Sequence, residues 1–78
     1  MLNKSEIKVL KKIAECQLIT KIELKTYMQN NGGEISDSTI DTITRNLIEK
    51  NLITKINPVG STCFIITKKG SQVLKEMD

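Results

Sequence analysis

Ser36, Ser38 and Asp41 place two hydroxyls and a carboxylate within about a turn and a half of one another. A serine nucleophile needs a neighbouring base of near-neutral pKa, and the chain has no histidine to supply one. Ser-His-Asp and Cys-His catalysis are therefore excluded, as is any zinc site that uses histidine. Asp37, Asp41 and Glu49 lack the spacing of a calcium loop. Cys16 and Cys63 stand far apart with no CxxC, so both are expected as small core residues; whether they pair is left open. No catalytic residue, metal ligand or cofactor is expected. The hydroxyls and carboxylates read better as helix caps and solvated positions, in a binding module rather than an enzyme.

Seventy-eight residues make one domain, spanning 1–78. No apolar run approaches the ~18 residues of a membrane helix, and the start, Met-Leu-Asn-Lys-Ser-Glu-Ile-Lys, turns charged at once. No membrane partner is expected, and the location is expected to be intracellular, in the cytoplasm. Hydrophobic residues at 38% and charged residues at 27% fit a globular chain rather than a disordered one. Its core must be thin, which favours dimerisation. The net charge of +3 suits nucleic-acid contact and a plain soluble surface equally. Arg45 is the only arginine, so any recognition that needs a planar guanidinium must use it.

Asn3 and Glu6 have capping-box spacing, and Ile7, Leu10, Ile13 and Ala14 form an apolar stripe behind them. They predict a helix over about 4–17, followed by a short extended link at Leu18 and Ile19. Thr20 and Glu23 repeat the cap ahead of Ile22, Leu24, Tyr27 and Met28, predicting a helix over 21–30. Asn30-Asn31-Gly32-Gly33 is expected to stop it. Ser36 caps a third helix, 37–50, with Ile40, Ile43, Leu47 and Ile48 inward and Asn51 as C-cap. Its opposite face carries Ser38, Asp41, Thr42, Arg45 and Glu49. β-Branched runs predict strands at 52–57 and 62–66 around the turn Asn57-Pro58-Val59-Gly60-Ser61. Thr67 caps a last helix, 68–77, whose first turn Gly70 is expected to weaken. The class is α+β, with the helices and strands in the order α-(β)-α-α-β-β-α.

Three helices followed by a hairpin is the order of a winged helix-turn-helix domain, and local motifs agree. Gly32-Gly33-Glu34-Ile35-Ser36-Asp37-Ser38-Thr39-Ile40, then Leu47-Ile48-Glu49-Lys50-Asn51-Leu52-Ile53, resembles the recognition-helix region of winged-helix regulators. Phe64-Ile65-Ile66-Thr67-Lys68-Lys69-Gly70 is similar to their returning wing strand and last helix. The pattern is closest to PadR- and MarR-type regulators, including small proteins of archaea and their viruses or plasmids. The resemblance implies a regulator that binds duplex DNA as a homodimer, to repress or tune transcription. Its third helix would enter the major groove, while the wing, 57–62, would touch the backbone or an adjacent groove. By position, Ser38, Thr39, Thr42, Arg45 and Asn46 become candidates for reading bases, with Arg45 able to bond both acceptors of a guanine. Lys21, Lys25, Lys55, Ser61, Thr62, Lys68 and Lys69 become candidates for phosphate contact. Leu2, Val73, Leu74 and Met77, with Met1, are the apolar residues at the termini that could join two copies.

Two features depart from the pattern. Asn51 stands where such regulators often have glycine, and asparagine can take the same left-handed conformation. The third helix carries three acidic side chains (Asp37, Asp41, Glu49) against Arg45 and Lys50, so it is net acidic. That favours a second reading, a winged-helix interaction module or subunit of a transcription or replication assembly without specific DNA binding of its own. No small-molecule ligand is indicated, because so short a chain has little room for a pocket. Redox sensing by Cys16, near Lys11 and Lys12, is disfavoured for want of a cationic cluster. Tyr27 and Phe64, the only aromatics, are expected in the core rather than as base-stacking platforms.

Overall fold

The computed structural model describes residues 2–32 and 36–77. Its elements run α1 (Lys4–Cys16), β1 (Leu18–Thr20), α2 (Lys21–Gly32), α3 (Asp37–Glu49), β2 (Ile53–Ile56), β3 (Cys63–Ile66) and α4 (Lys68–Met77). A 3-10 turn, Pro58–Gly60, joins β2 to β3. The expected order is present, including the short first strand. The sheet is antiparallel in the order β1-β3-β2, with Ile19 opposite Phe64 and Lys55 opposite Phe64 on its other side. β1 therefore ties the link after α1 to the returning wing strand.

The caps form as their spacing requires. Glu6 N–H donates to the Asn3 side chain at 2.8 Å, and Asn3 N–H donates to Glu6 Oε1 at 3.0 Å. Thr20 and Glu23 reciprocate in the same way, and Thr39 N–H donates to Ser36 Oγ. At the far end of α3, Asn51 takes φ 63°. Its N–H donates to the Ile48 carbonyl, and Leu52 N–H donates to that of Leu47. These are the two bonds of a Schellman ending, which asparagine supports here in place of glycine.

Boundaries shift where a backbone group has another partner. α1 ends at Cys16 rather than 17, because Gln17 leaves the helix at φ 65°. α3 ends at Glu49 rather than 50. α2 runs on to Gly32, past the expected stop at 30. Asparagine and glycine cost a helix up to about 1 kcal/mol each, so their presence does not oblige it to stop. β2 begins at Ile53, not 52, since Leu52 N–H belongs to the α3 ending and its carbonyl accepts from Thr67 N–H. It ends before Asn57, which leads into the 3-10 turn. β3 begins at Cys63, although the Thr62 carbonyl still accepts from Lys21 N–H beside the β1 pairing.

Val9, Leu10 and Ile13 of α1 pack with Ile19, Leu24, Met28, Ile40, Ile43, Leu47, Leu52, Ile53 and Phe64 in one buried cluster. Three expectations need correcting. On α1 the buried face is set by Val9 and includes Glu6, while Ile7 and Ala14 are only half-buried. Ile22 is 77% exposed rather than inward. Cys16 is exposed and only Cys63 is buried, and neither is in a disulfide. Tyr27 lies half-buried against the core with the Lys12 ammonium 4.7 Å from its ring centre.

Gly70 also has a different meaning from the one expected. It is buried where α4 meets the end of α3, and an added Cβ would collide with the Leu52 carbonyl oxygen and lie 2.9 Å from Ile66 Cγ1. Thr67 Oγ1, 2.7 Å from the Asn51 carbonyl and 2.9 Å from that of Leu52, accepts from Gly70 N–H and fixes that approach. Gly70→Ala should thus destabilise the domain by about 1–2 kcal/mol, even though alanine favours the helix by ~1 kcal/mol. A melting temperature lower by roughly 5–15 °C is expected. An unchanged or higher value would mean that α4 does not approach Leu52 so closely.

Candidate nucleic-acid interface

α3 is held by its inner face and presents its outer one. Ile40, Ile43, Thr44 and Leu47 are buried, with the Thr44 hydroxyl returned to the Ile40 carbonyl at 2.9 Å. Ser38, Thr39, Asp41, Thr42, Arg45 and Glu49 are exposed, and Asn46 is half-buried at the edge. Thr42 Oγ1 donates to the Ser38 carbonyl, so its methyl group and lone pairs remain for an outside partner. Thr39 Oγ1 is 3.0 Å from Ser36 Oγ at the cap. All five residues expected to read bases thus lie on one helix, four of them fully at its surface.

The charges on α3 are arranged against α2. Lys21 Nζ lies 2.7 Å from Asp41 Oδ1, and Lys25 Nζ lies 2.7 Å from Asp37 Oδ1. Lysines four apart on one helix meet aspartates four apart on the other, in antiparallel order, each step rising about 6 Å. The Asp41 carboxylate, as hydrogen-bond partner, holds the Lys21 ammonium above its ordinary pKa. The Lys25 ammonium holds the Asp37 carboxyl below its own. The matched spacing was visible in the sequence, but nothing there says that these two faces meet. Two of the three acidic groups on α3 are thus neutralised internally, by lysines expected to face phosphate.

Two clefts gather the remaining candidates. One, of about 380 Å³, lies between α3 and the wing strands and is lined by Lys21, Asp41, Thr44, Arg45, Ile48, Lys55 and Phe64. Lys55 reaches it because it shares a sheet face with its partner Phe64. The other, of about 280 Å³, is lined by Thr20, Lys21, Ile22, Gly60, Ser61 and Thr62. It joins the wing loop to the start of α2, where Gly60 turns at φ 80° and Ser61 N–H closes on the Pro58 carbonyl. Lys21, Lys55, Ser61 and Thr62 are brought together in this way. Lys25, Lys68 and Lys69 line neither cleft; the last two are exposed at the start of α4. Leu2, Val73 and Leu74 are half-buried against the core, which leaves each only partly available to a second copy. Met1 and the side chain of Met77 lie outside the described residues, as do Gly33, Glu34 and Ile35.

A three-stranded sheet whose β2–β3 hairpin stands beside the exposed face of α3 settles the architecture. The chain is a winged helix-turn-helix domain. No protein-family model matches it, and no curated protein does. Solved structures match closely in shape. The oxidised form of MarR from E. coli superposes with a TM-score of 0.84 at 17% identity, covering 96% of this chain and 52% of that one. The C80S mutant of MarR complexed with operator DNA gives 0.83, at 17% identity and the same coverages. The hsRosR-S4 complex gives 0.89 at 14% identity, covering 97% of this chain and 67% of that one. This winged-helix chain spans about half the length of the MarR structures. At such identities the likeness establishes the fold.

Proposed function

We propose that this winged-helix domain is a transcriptional regulator that binds duplex DNA sequence-specifically, with α3 in the major groove and the wing on the backbone. The observation that carries this reading is the exposed polar face of α3, Ser38 to Arg45, bordered by the cleft that collects Lys21 and Lys55. A base-reading surface needs donors placed for phosphate on its flank, because phosphate contacts set the register from which bases are read. One of the similar structures is a complex with operator DNA, which supports the reading by analogy of fold. No described helix is long and apolar enough to cross a membrane. We infer action inside the cell, as a homodimer. Domains about 30 Å across, paired about a two-fold axis, suit half-sites one helical turn apart, ~34–36 Å.

The test is binding to random-sequence duplex across a salt series, with the mass in solution recorded. Log affinity should fall linearly with log salt, by about 0.9 for each phosphate neutralised. Lys55→Ala should weaken specific and random duplex alike and flatten that slope by about one. A loss confined to the specific site would remove Lys55 from the phosphate set. Absence of duplex binding at low salt would reject the proposal in favour of a protein-interaction module.

A further inference from the structure

The Lys21–Asp41 pair lies in the wall of the cleft between α3 and the wing. Around that cleft stand the Lys21 ammonium, Lys55 on β2 and Arg45 one turn beyond Asp41, with Asp41 the only carboxylate among them. A carboxylate in a cationic cleft answers the same charge demand as a phosphate, and Asp41 Oδ1 already makes the contact that a phosphate oxygen would make. The side chains of the pair are 32% and 61% exposed, so solvent reaches both and the contact can exchange. Opening it costs little, since exposed pairs are weak.

We propose that this cleft seats one backbone phosphate of duplex DNA, and that Asp41 occupies the phosphate's place on Lys21 in the free protein. The proposal rests on the DNA-binding reading and adds to it a regulated contact: DNA binds by exchanging a carboxylate for a phosphate. When the phosphate arrives, Lys21 turns to it from the α2 side and Lys55 approaches from β2, while Asp41 is released to solvent. The exchange has a thermodynamic signature. Neutralising a phosphate releases a counterion from the DNA, but the freed Asp41 carboxylate stays beside the strand and leaves the local net charge unchanged, so this contact adds little to the salt dependence. Asp41 therefore suppresses the sequence-blind part of binding. Sites whose bases also engage α3 gain correspondingly in relative affinity.

Random duplex binding of the intact chain, measured over a salt series, separates this from general charge repulsion. Asp41→Asn should bind about two- to fivefold more tightly near 0.1 M salt, with a slope steeper by about one, because Lys21 is then free from the start. Glu49→Gln removes a negative charge from the same helix without freeing Lys21, and should leave the slope unchanged. In a Lys21→Met background, Asp41→Asn should lose most of its gain. Affinity of Asp41→Asn at or below wild type would overturn the phosphate exchange and leave DNA binding standing. So would an equal gain from Glu49→Gln, or a gain that survives Lys21→Met. Absence of duplex binding by wild type and Asp41→Asn alike would overturn both readings together.

Discussion

Leu47→Asp should leave no cooperatively folded domain. Leu47 is fully buried, in the cluster that includes Val9, Leu10, Ile13, Leu24 and Phe64. Replacing it removes about 2–3 kcal/mol of apolar burial and leaves a cavity beside its neighbours. The new carboxylate would have no partner there and would cost several kcal/mol more, even after its pKa rises. A domain of this length has a total stability of roughly 4–12 kcal/mol. The combined loss takes most or all of it. Residue 47 also closes α3, since its carbonyl accepts from Leu52 N–H, so collapse there would release the Schellman ending and the start of β2. Circular dichroism should show no sigmoidal melt, and amide proton shifts should lose their dispersion. Leu47→Met, which conserves volume, should lose under about 1.5 kcal/mol and keep the fold. A folded, cooperative Leu47→Asp protein would mean that α3 is rotated from the orientation described here.

The contrast between Leu47 and Ile22 shows what sequence periodicity can deliver. On α3 the stripe is unbroken by competing apolar residues, so its phase is fixed by Ile40, Ile43 and Leu47 together, and all three are buried. On α2, Ile22, Leu24, Tyr27 and Met28 permit two phases, and the one centred on Leu24 and Met28 is the one that packs into the core. α1 is similar: Ile7 and Val9 compete, and burial of Glu6 within its own capping box moves the core face toward Val9. Caps were legible because they are local, with donor and acceptor three residues apart. The α2–α3 ion pairs and the approach of Gly70 to Leu52 are not local. They join positions 12 to 20 residues apart in sequence, and only the packing of helices against each other and against the strand start reveals them. For the same reason the net acidity of α3 was legible as a number and misleading as a surface property. Asp37 and Asp41 present to an incoming polyanion not two bare carboxylates but two ion pairs.

Arg45→Ala should lower affinity for the specific site by about 1–3 kcal/mol, roughly 5- to 150-fold, while reducing affinity for random duplex much less. Arg45 is exposed on α3, one turn beyond Asp41, and it is the chain's only guanidinium. Its planar fork matches the O6 and N7 acceptors of guanine, and none of the threonines or serines beside it can make that bidentate pair. It also lines the cleft assigned to phosphate, so two roles compete for one side chain. They differ in what they do to sequence preference. A base-reading Arg45 should take with it the discrimination at one position in each half-site, and leave the salt slope nearly intact. Arg45→Lys separates them further, because lysine keeps the charge but loses the fork: random binding should persist and guanine preference should not. Equal losses for specific and random duplex, with a slope flatter by about one and full rescue by lysine, would move Arg45 into the phosphate set with Lys55. Base recognition would then fall to Ser38, Thr39 and Thr42, whose single hydroxyls discriminate weakly, and to Asn46, whose amide can pair with adenine, so the domain would lose its guanine readout and lean more on the shape or deformability of its site.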